Sequence, residues 1–215
     1  MLAATASACS ASAAGAVTVK IGSPLSAFNS QYGASGTNTT AANVSLAQYG
    51  AYTSSPVNGT ITQWHVTTIT PGEFALRVLR PAAGGEYTGA GSAPQTVTGT
   101  GAHTFPANLP IQSGDLIGLD IPDGGAVAAE NGNGSTYLRW VPALAEGSTG
   151  PVDSDFGGEI LLSADVQYPD PAPGTPPKKK CKKKKRHTAA ATKTAAGSTA
   201  QSAKKKKCKR HKKHR

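Results

Sequence analysis

The sequence predicts an all-β protein: an antiparallel, jelly-roll-like β-sandwich followed by a disordered basic C-terminal tail. Three observations carry that expectation. Short segments with apolar residues at alternate positions recur between Val17 and Tyr168, the period of a strand with one buried face. Clusters of Gly, Pro, Asn and Asp separate them, and each of these residues favours turns. Leu, Glu and Lys, the staples of surface helices, are too sparse before residue 171 for a helical bundle.

Residues 1–16, MLAATASACSASAAGA, are small and end in Ala14-Gly15-Ala16, an A-x-A cleavage pattern. They read as a partial signal peptide, or as a disordered N-terminus, because no Lys or Arg precedes the weak apolar part. Cys9 falls within them. Residues 17–168 form one candidate domain, free of cysteine and long enough to bury a core of its own.

Within that domain, Val17 to Ile21 alternates as a half-buried strand. The polar stretch from Ser30 to Asn43 reads as loop. Thr60 to Val66 is β-branched and carries Trp64. Phe74, Leu76 and Val78 share one face, with Arg77 on the other. PAAGGEYTGAG (81–91) reads as turn, followed by short strands at Gln95 to Thr98 and His103 to Phe105. Ser113-Gly114-Asp115 turns into Leu116 to Ile121, where Ile117, Leu119 and Ile121 share a face. Tyr137 to Val141 is the next strand, with Leu138 and Trp140 on one side. In the last, Ile160, Leu162, Ala164, Val166 and Tyr168 alternate with Glu159, Leu161, Ser163, Asp165 and Gln167. At roughly 25 cal/mol per Å² of apolar area, burying its inward residues contributes several kcal/mol.

Charge divides the chain sharply. All 12 Asp and Glu precede Pro171, where the only Lys and Arg are Lys20, Arg77, Arg80 and Arg139; the other 18 of the 22 cations follow it. Residues 169–177, PDPAPGTPP, form a Pro-rich linker, extended at about 3.1 Å per residue. Residues 178–215 form the tail. Lys178, Lys179, Lys180, Lys182, Lys183, Lys184, Lys185 and Arg186 surround Cys181. Lys204, Lys205, Lys206, Lys207, Lys209, Arg210, Lys212, Lys213 and Arg215 surround Cys208. Same-sign blocks repel themselves and form no core, so disorder is expected there.

These cations are the candidate polyanion-binding residues. Lys is a hydrated point charge that attracts without specifying, and no aromatic residue is interleaved for base stacking. The partner this implies is an anionic cell-wall or surface polymer, with non-specific nucleic-acid binding expected in vitro. Cys181 and Cys208 sit among ammonium groups that favour thiolate, and an oxidising compartment would let them form a disulfide. His187, His211 and His214 lack a paired metal-ligand spacing, and the surrounding positive charge opposes a divalent cation.

In the body, Asp153, Asp155 and Glu159 are spaced D-x-D-x-G-x-E, which suggests a structural calcium site supplying part of the six to eight or so oxygens that ion takes. No other cofactor is expected. Trp64, Trp140, Tyr49, Tyr52, Tyr87 and Tyr137 are candidates for a sugar-stacking platform, although Trp140 shares its face with Leu138 and so reads as core. Enzymatic motifs are missing: no G-x-S-x-G, no P-loop, no H-E-x-x-H. His65 and His103 stand isolated, and nothing singles out a carboxylate pair for glycoside hydrolysis. No run approaches the roughly 18 apolar residues of a membrane-spanning helix.

SPVNGTITQWHV (55–66), FALRVLRPAAGGEYTGAG (74–91), FPANLPIQSGDLIGLD (105–120) and the KKCKKKK-type tail together resemble uncharacterised exported β-sandwich proteins of actinobacteria. The likeness covers most of Ser55 to Asp120 and the C-terminus. It implies a β-sandwich and export, and it transfers no catalytic residue. The Ser-Gly-Asp-Leu-Ile-Gly-Leu step is also similar to strand entries in jelly-roll lectin-like modules. The expected function is therefore that of an exported, non-enzymatic, extracellular or cell-surface protein attached to anionic envelope polymers by its tail. A carbohydrate-binding lectin-like module and a non-specific nucleic-acid-associated protein are the alternatives.

Overall fold

The computed structural model describes residues 15–24, 28–48 and 50–170. The proposed signal peptide, apart from its last two residues, lies outside the described residues, as do all but the first two residues of the linker and the whole tail. Among the described residues fourteen strands form two sheets, and every pairing between them is antiparallel. The first sheet runs β1 (Ala16–Gly22), β14 (Leu162–Pro169), β4 (Gly59–Thr68), β9 (Ala126–Glu130), β13 (Glu159–Ile160). In addition β7 (Gly101–Ile111) pairs with β4, and β2 (Ser30–Gly33) with β9. The second sheet runs β11 (Thr149–Gly150), β6 (Tyr87–Val97), β5 (Gly72–Pro81), β8 (Leu116–Ile121), β3 (Thr39–Ser45), β10 (Thr136–Trp140), β12 (Ser154–Gly157). Most connections pass from one sheet to the other, so sequence neighbours face each other across the core; this is the jelly-roll-like sandwich the alternation predicts.

The two inner faces meet as expected. Phe74, Leu76 and Val78 of β5 and Ile117, Leu119 and Ile121 of β8 pack against Ile61, Trp64 and Val66 of β4 and Leu162, Ala164 and Val166 of β14. Trp64 is fully buried, its ring 4.9 Å from that of Phe105. A second, smaller cluster lies on the other face of the second sheet. There Ala42, Leu79, Leu116, Trp140 and Leu144 gather with Tyr87 and Val152, so the segment after β10 roofs that face. Trp140 is core, as its pairing with Leu138 predicts, with Tyr87 edge-on at 5.3 Å.

Three expectations fail for identifiable reasons. The stretch read as loop, Ser30 to Asn43, contains β2 and most of β3. Its strands hide behind polar residues that are buried with partners: the Thr40 hydroxyl donates to Asp120 and accepts from the Leu144 amide at 2.9 Å. The turn-rich 81–91 segment turns only at Ala83–Gly85; from Tyr87 it is one strand through Val97. Here and in β7 the prolines mask the length. Pro94 lies on β6 beyond its short pairing with β11, and Pro106 and Pro110 lie on β7, which pairs with β4 alone. A proline on an open edge removes no ladder hydrogen bond. Finally, the last predicted strand is two: the chain leaves β9 at Ile160 and joins β1 and β4 from Leu162.

Asn43 joins the sheets at that break. From β3 its side-chain amide donates to the Ile160 carbonyl and accepts from the Ile160 amide, both at 2.9 Å, and Asn43 is only 4% exposed. The side chain thus takes the place of a strand partner. Asn43→Ala leaves two buried backbone groups unpaired, each costing about 1–3 kcal/mol. The expected result is a loss of roughly 2–4 kcal/mol in urea unfolding of the full chain, with the denaturant slope unchanged.

Candidate functional site

The predicted polyanion-binding cations of the tail, with Cys181 and Cys208, lie outside the described residues. What the body contributes is a pattern of charge. Among the described residues every lysine and arginine meets an aspartate: Lys20 Nζ lies 2.9 Å from Asp165, Arg80 Nη2 2.9 Å from Asp115, Arg139 Nη2 2.7 Å from Asp153, and Arg77 binds Asp120. Arg77 and Asp115 are buried, so these pairs serve the fold. An anionic ligand meets an acidic body whose few cations are already committed.

The expected calcium site does not assemble. Gly158 takes φ +138°, a conformation that favours glycine, and carries the chain from β12 in one sheet to β13 in the other. Asp153 stays with Arg139 and accepts a hydrogen bond from Ser154 at 2.9 Å. Asp155 is exposed on β12. Glu159 is only 2% exposed and accepts from Ser23 Oγ at 2.8 Å and Ser135 Oγ at 2.9 Å. Among the described residues no three carboxylate, imidazole or thiol groups gather as a metal site.

The aromatic candidates also separate. Trp64 and Trp140 are core. Tyr137 is buried against Tyr32, ring centroids 5.2 Å apart, and stacks on Phe156 at 5.3 Å. Burial pushes its phenol up to about 12. Tyr87 covers Trp140, and Tyr49 lies outside the described residues. Tyr52 alone among the six is shown exposed, at 48%.

Neither histidine is isolated. His103 stacks on Phe105, centroids 5.9 Å apart. His65 belongs to a row that crosses four strands on the outer face of the first sheet. Its Nε2 lies 3.2 Å from Asp165 Oδ2 and its Nδ1 2.9 Å from Thr104 Oγ1, while Lys20 holds the other Asp165 oxygen. A hydroxyl, an imidazole and a carboxylate in line are parts of an acyl-transfer site. Each member of the row sits on a different strand, β7, β4, β14 and β1, so the contacts tie four neighbouring strands together. The row reads as a charged brace across the strands.

Beyond Lys20, at the end of β1, the chain is flanked by two segments. Gly22 N donates to the Tyr52 carbonyl at 2.7 Å and Ser23 N to the Leu162 carbonyl at 2.8 Å, pinning the Tyr52 segment over the end of β1. Gly22, at φ +93°, has no room for a side chain, since a Cβ would sit 2.3 Å from Leu162 O. Two clefts result. One, of about 210 Å³, is lined by Lys20, Gln48 and Tyr52; the other, of about 300 Å³, by Gln48, Glu130, Asn133 and Glu159; Pro24 belongs to both. Of these residues the sequence singles out only Tyr52 and Glu159. Gln48 follows β3, whereas Glu130 ends β9 and Asn133 lies in the turn after it, and no spacing connects Gln48 to the other two.

No protein family, characterised protein or solved structure matches this chain. Among the described residues no helix is long and apolar enough to cross a membrane.

Asp165 carries a test of the brace. Burial raises its pKa, but the hydrogen bonds from Lys20 and His65 outweigh that and hold it below the ordinary carboxylate value of 3.8. A lowered folded value means that the stabilisation is complete above the unfolded value and is lost as pH falls through the folded one. Asp165→Asn should therefore be less stable than wild type at pH 7. In urea unfolding the two curves should converge as the solution is acidified below the ordinary carboxylate range.

Proposed function

We propose that this chain is an exported, non-enzymatic β-sandwich protein that attaches to anionic polymers of the cell envelope through its lysine-rich C-terminal segment. The observation that supports this reading is the partition of charge. Residues 178–215 carry cations without a single acidic residue, whereas each cation of the described body is matched to an aspartate. Attraction to a polyanion then falls to the tail, and the acidic body would be repelled from the same surface. The sequence between them, PDPAPGTPP, has the composition of an extended spacer.

Lys-dominated clusters bind by charge density, not by sequence or stereochemistry, so one tail suits teichoic-type phosphate chains, acidic polysaccharide and nucleic acid alike. Export selects among these, since envelope polymers are what an exported protein meets first. Residues 178–215 should therefore account for retention on isolated cell envelopes at physiological salt. Removing them, or raising salt to about 1 M where screening shortens to about 3 Å, should release the protein. Unchanged retention after either treatment rejects the reading, and so does recovery of the protein from the cytoplasm with Met1 in place.

A further inference from the structure

The two clefts at the end of β1 share Pro24 and Gln48 and together form one polar groove. We infer that this groove binds a neutral oligosaccharide. Three features select that ligand class.

The first is Tyr52. At 48% exposed, it offers a ring face at one end of the groove without a ring partner among the described residues, and its backbone is tied to Gly22. Sugar C–H faces stack on such rings because one side of a pyranose is apolar.

The second is the hydrogen-bonding character of the walls. Gln48 and Asn133 carry amides that both donate and accept, as sugar hydroxyls do. The walls are preformed: Asn133 Oδ1 accepts from Ser135 N at 2.9 Å, Ser135 holds the buried Glu159, and Gly158 N donates to the Ser135 carbonyl at 2.8 Å. Preformed polar walls lower the ordering cost of binding.

The third is charge. Lys20 is the cation at the groove, and its ammonium is taken by Asp165 at 2.9 Å; Glu130 and Glu159 line the other end. Uronate, phosphate or sialate groups would meet carboxylates, so the groove selects against the polymers that the tail attracts.

The inference does not rest on the tail. Charge attraction weakens with salt, whereas stacking and hydrogen bonding to neutral hydroxyls persist. Were both to hold, one chain would join two polymers of different chemistry, each contact raising the effective concentration of the other.

The test uses the full chain in about 0.5 M NaCl, which suppresses long-range attraction by the tail. Titration calorimetry against cellohexaose, xylohexaose, mannohexaose and chitohexaose is compared with polygalacturonate and heparin. At least one neutral series should bind, with affinity unaffected by further salt. Tyr52→Ala should weaken it roughly ten-fold while Tyr52→Phe retains it. Because the Tyr52 side chain is exposed, its removal should leave the unfolding midpoint unchanged, and this separates lost binding from lost folding. The inference is overturned if the neutral panel fails to bind, if Tyr52→Ala binds like wild type, or if only the anionic polymers bind and salt abolishes it. Those outcomes leave the tail reading intact; release from envelopes unaffected by tail removal would strike that reading alone.

Discussion

The body depends on a side chain that behaves as backbone. Where the chain turns from β12 to β13 it changes sheets, and the Ile160 amide and carbonyl need partners in a dry interior. Asn43 supplies both from the opposite sheet. An unpaired buried peptide group is costly, so this pair of bonds fixes where β13 may lie. Glu159 is one residue away. Its position then sets Ser23 and Ser135, whose hydroxyls satisfy the buried carboxylate and whose segments wall the groove. One amide thereby links sheet packing to surface shape.

Charge is arranged with comparable economy. In a body where carboxylates outnumber cations, each lysine and arginine serves as a strand-to-strand or loop-to-strand tie. Pairs that are half exposed contribute little individually, whereas Arg77 with Asp120 and Arg80 with Asp115 satisfy carboxylates that burial would otherwise penalise. The net negative charge of the body and the positive charge of residues 178–215 therefore lie in separate parts of the sequence. An average over the whole chain conceals both.

Much of the fold is legible because most of its strands bury one face. Period-two alternation places β1, β4, β5, β8, β10 and the inward side of β14 without any tertiary knowledge. What escapes is the set of elements whose burial is polar or small. β3 hides Thr39, Thr40 and Asn43; β9 is Ala126 to Glu130, nearly all alanine and valine; β6 and β7 are interrupted by proline. The site is less legible still. Asp153 and Glu159 look like neighbours because they are six positions apart, yet Gly158 sends them to different sheets. His65 looks solitary because Asp165 lies a hundred residues away and one strand across. Only sheet order brings such residues together, and alternation carries no information about sheet order.

The prolines on β6 and β7 have a consequence for how many copies can share a small space. A long, flat outer strand invites another molecule to add to it edge to edge, and crowding speeds that addition. Pro94, Pro106 and Pro110 break the row of amide donors on the two longest strands of the fold. A sandwich guarded in this way resists zipping edge to edge into fibres even where copies are crowded.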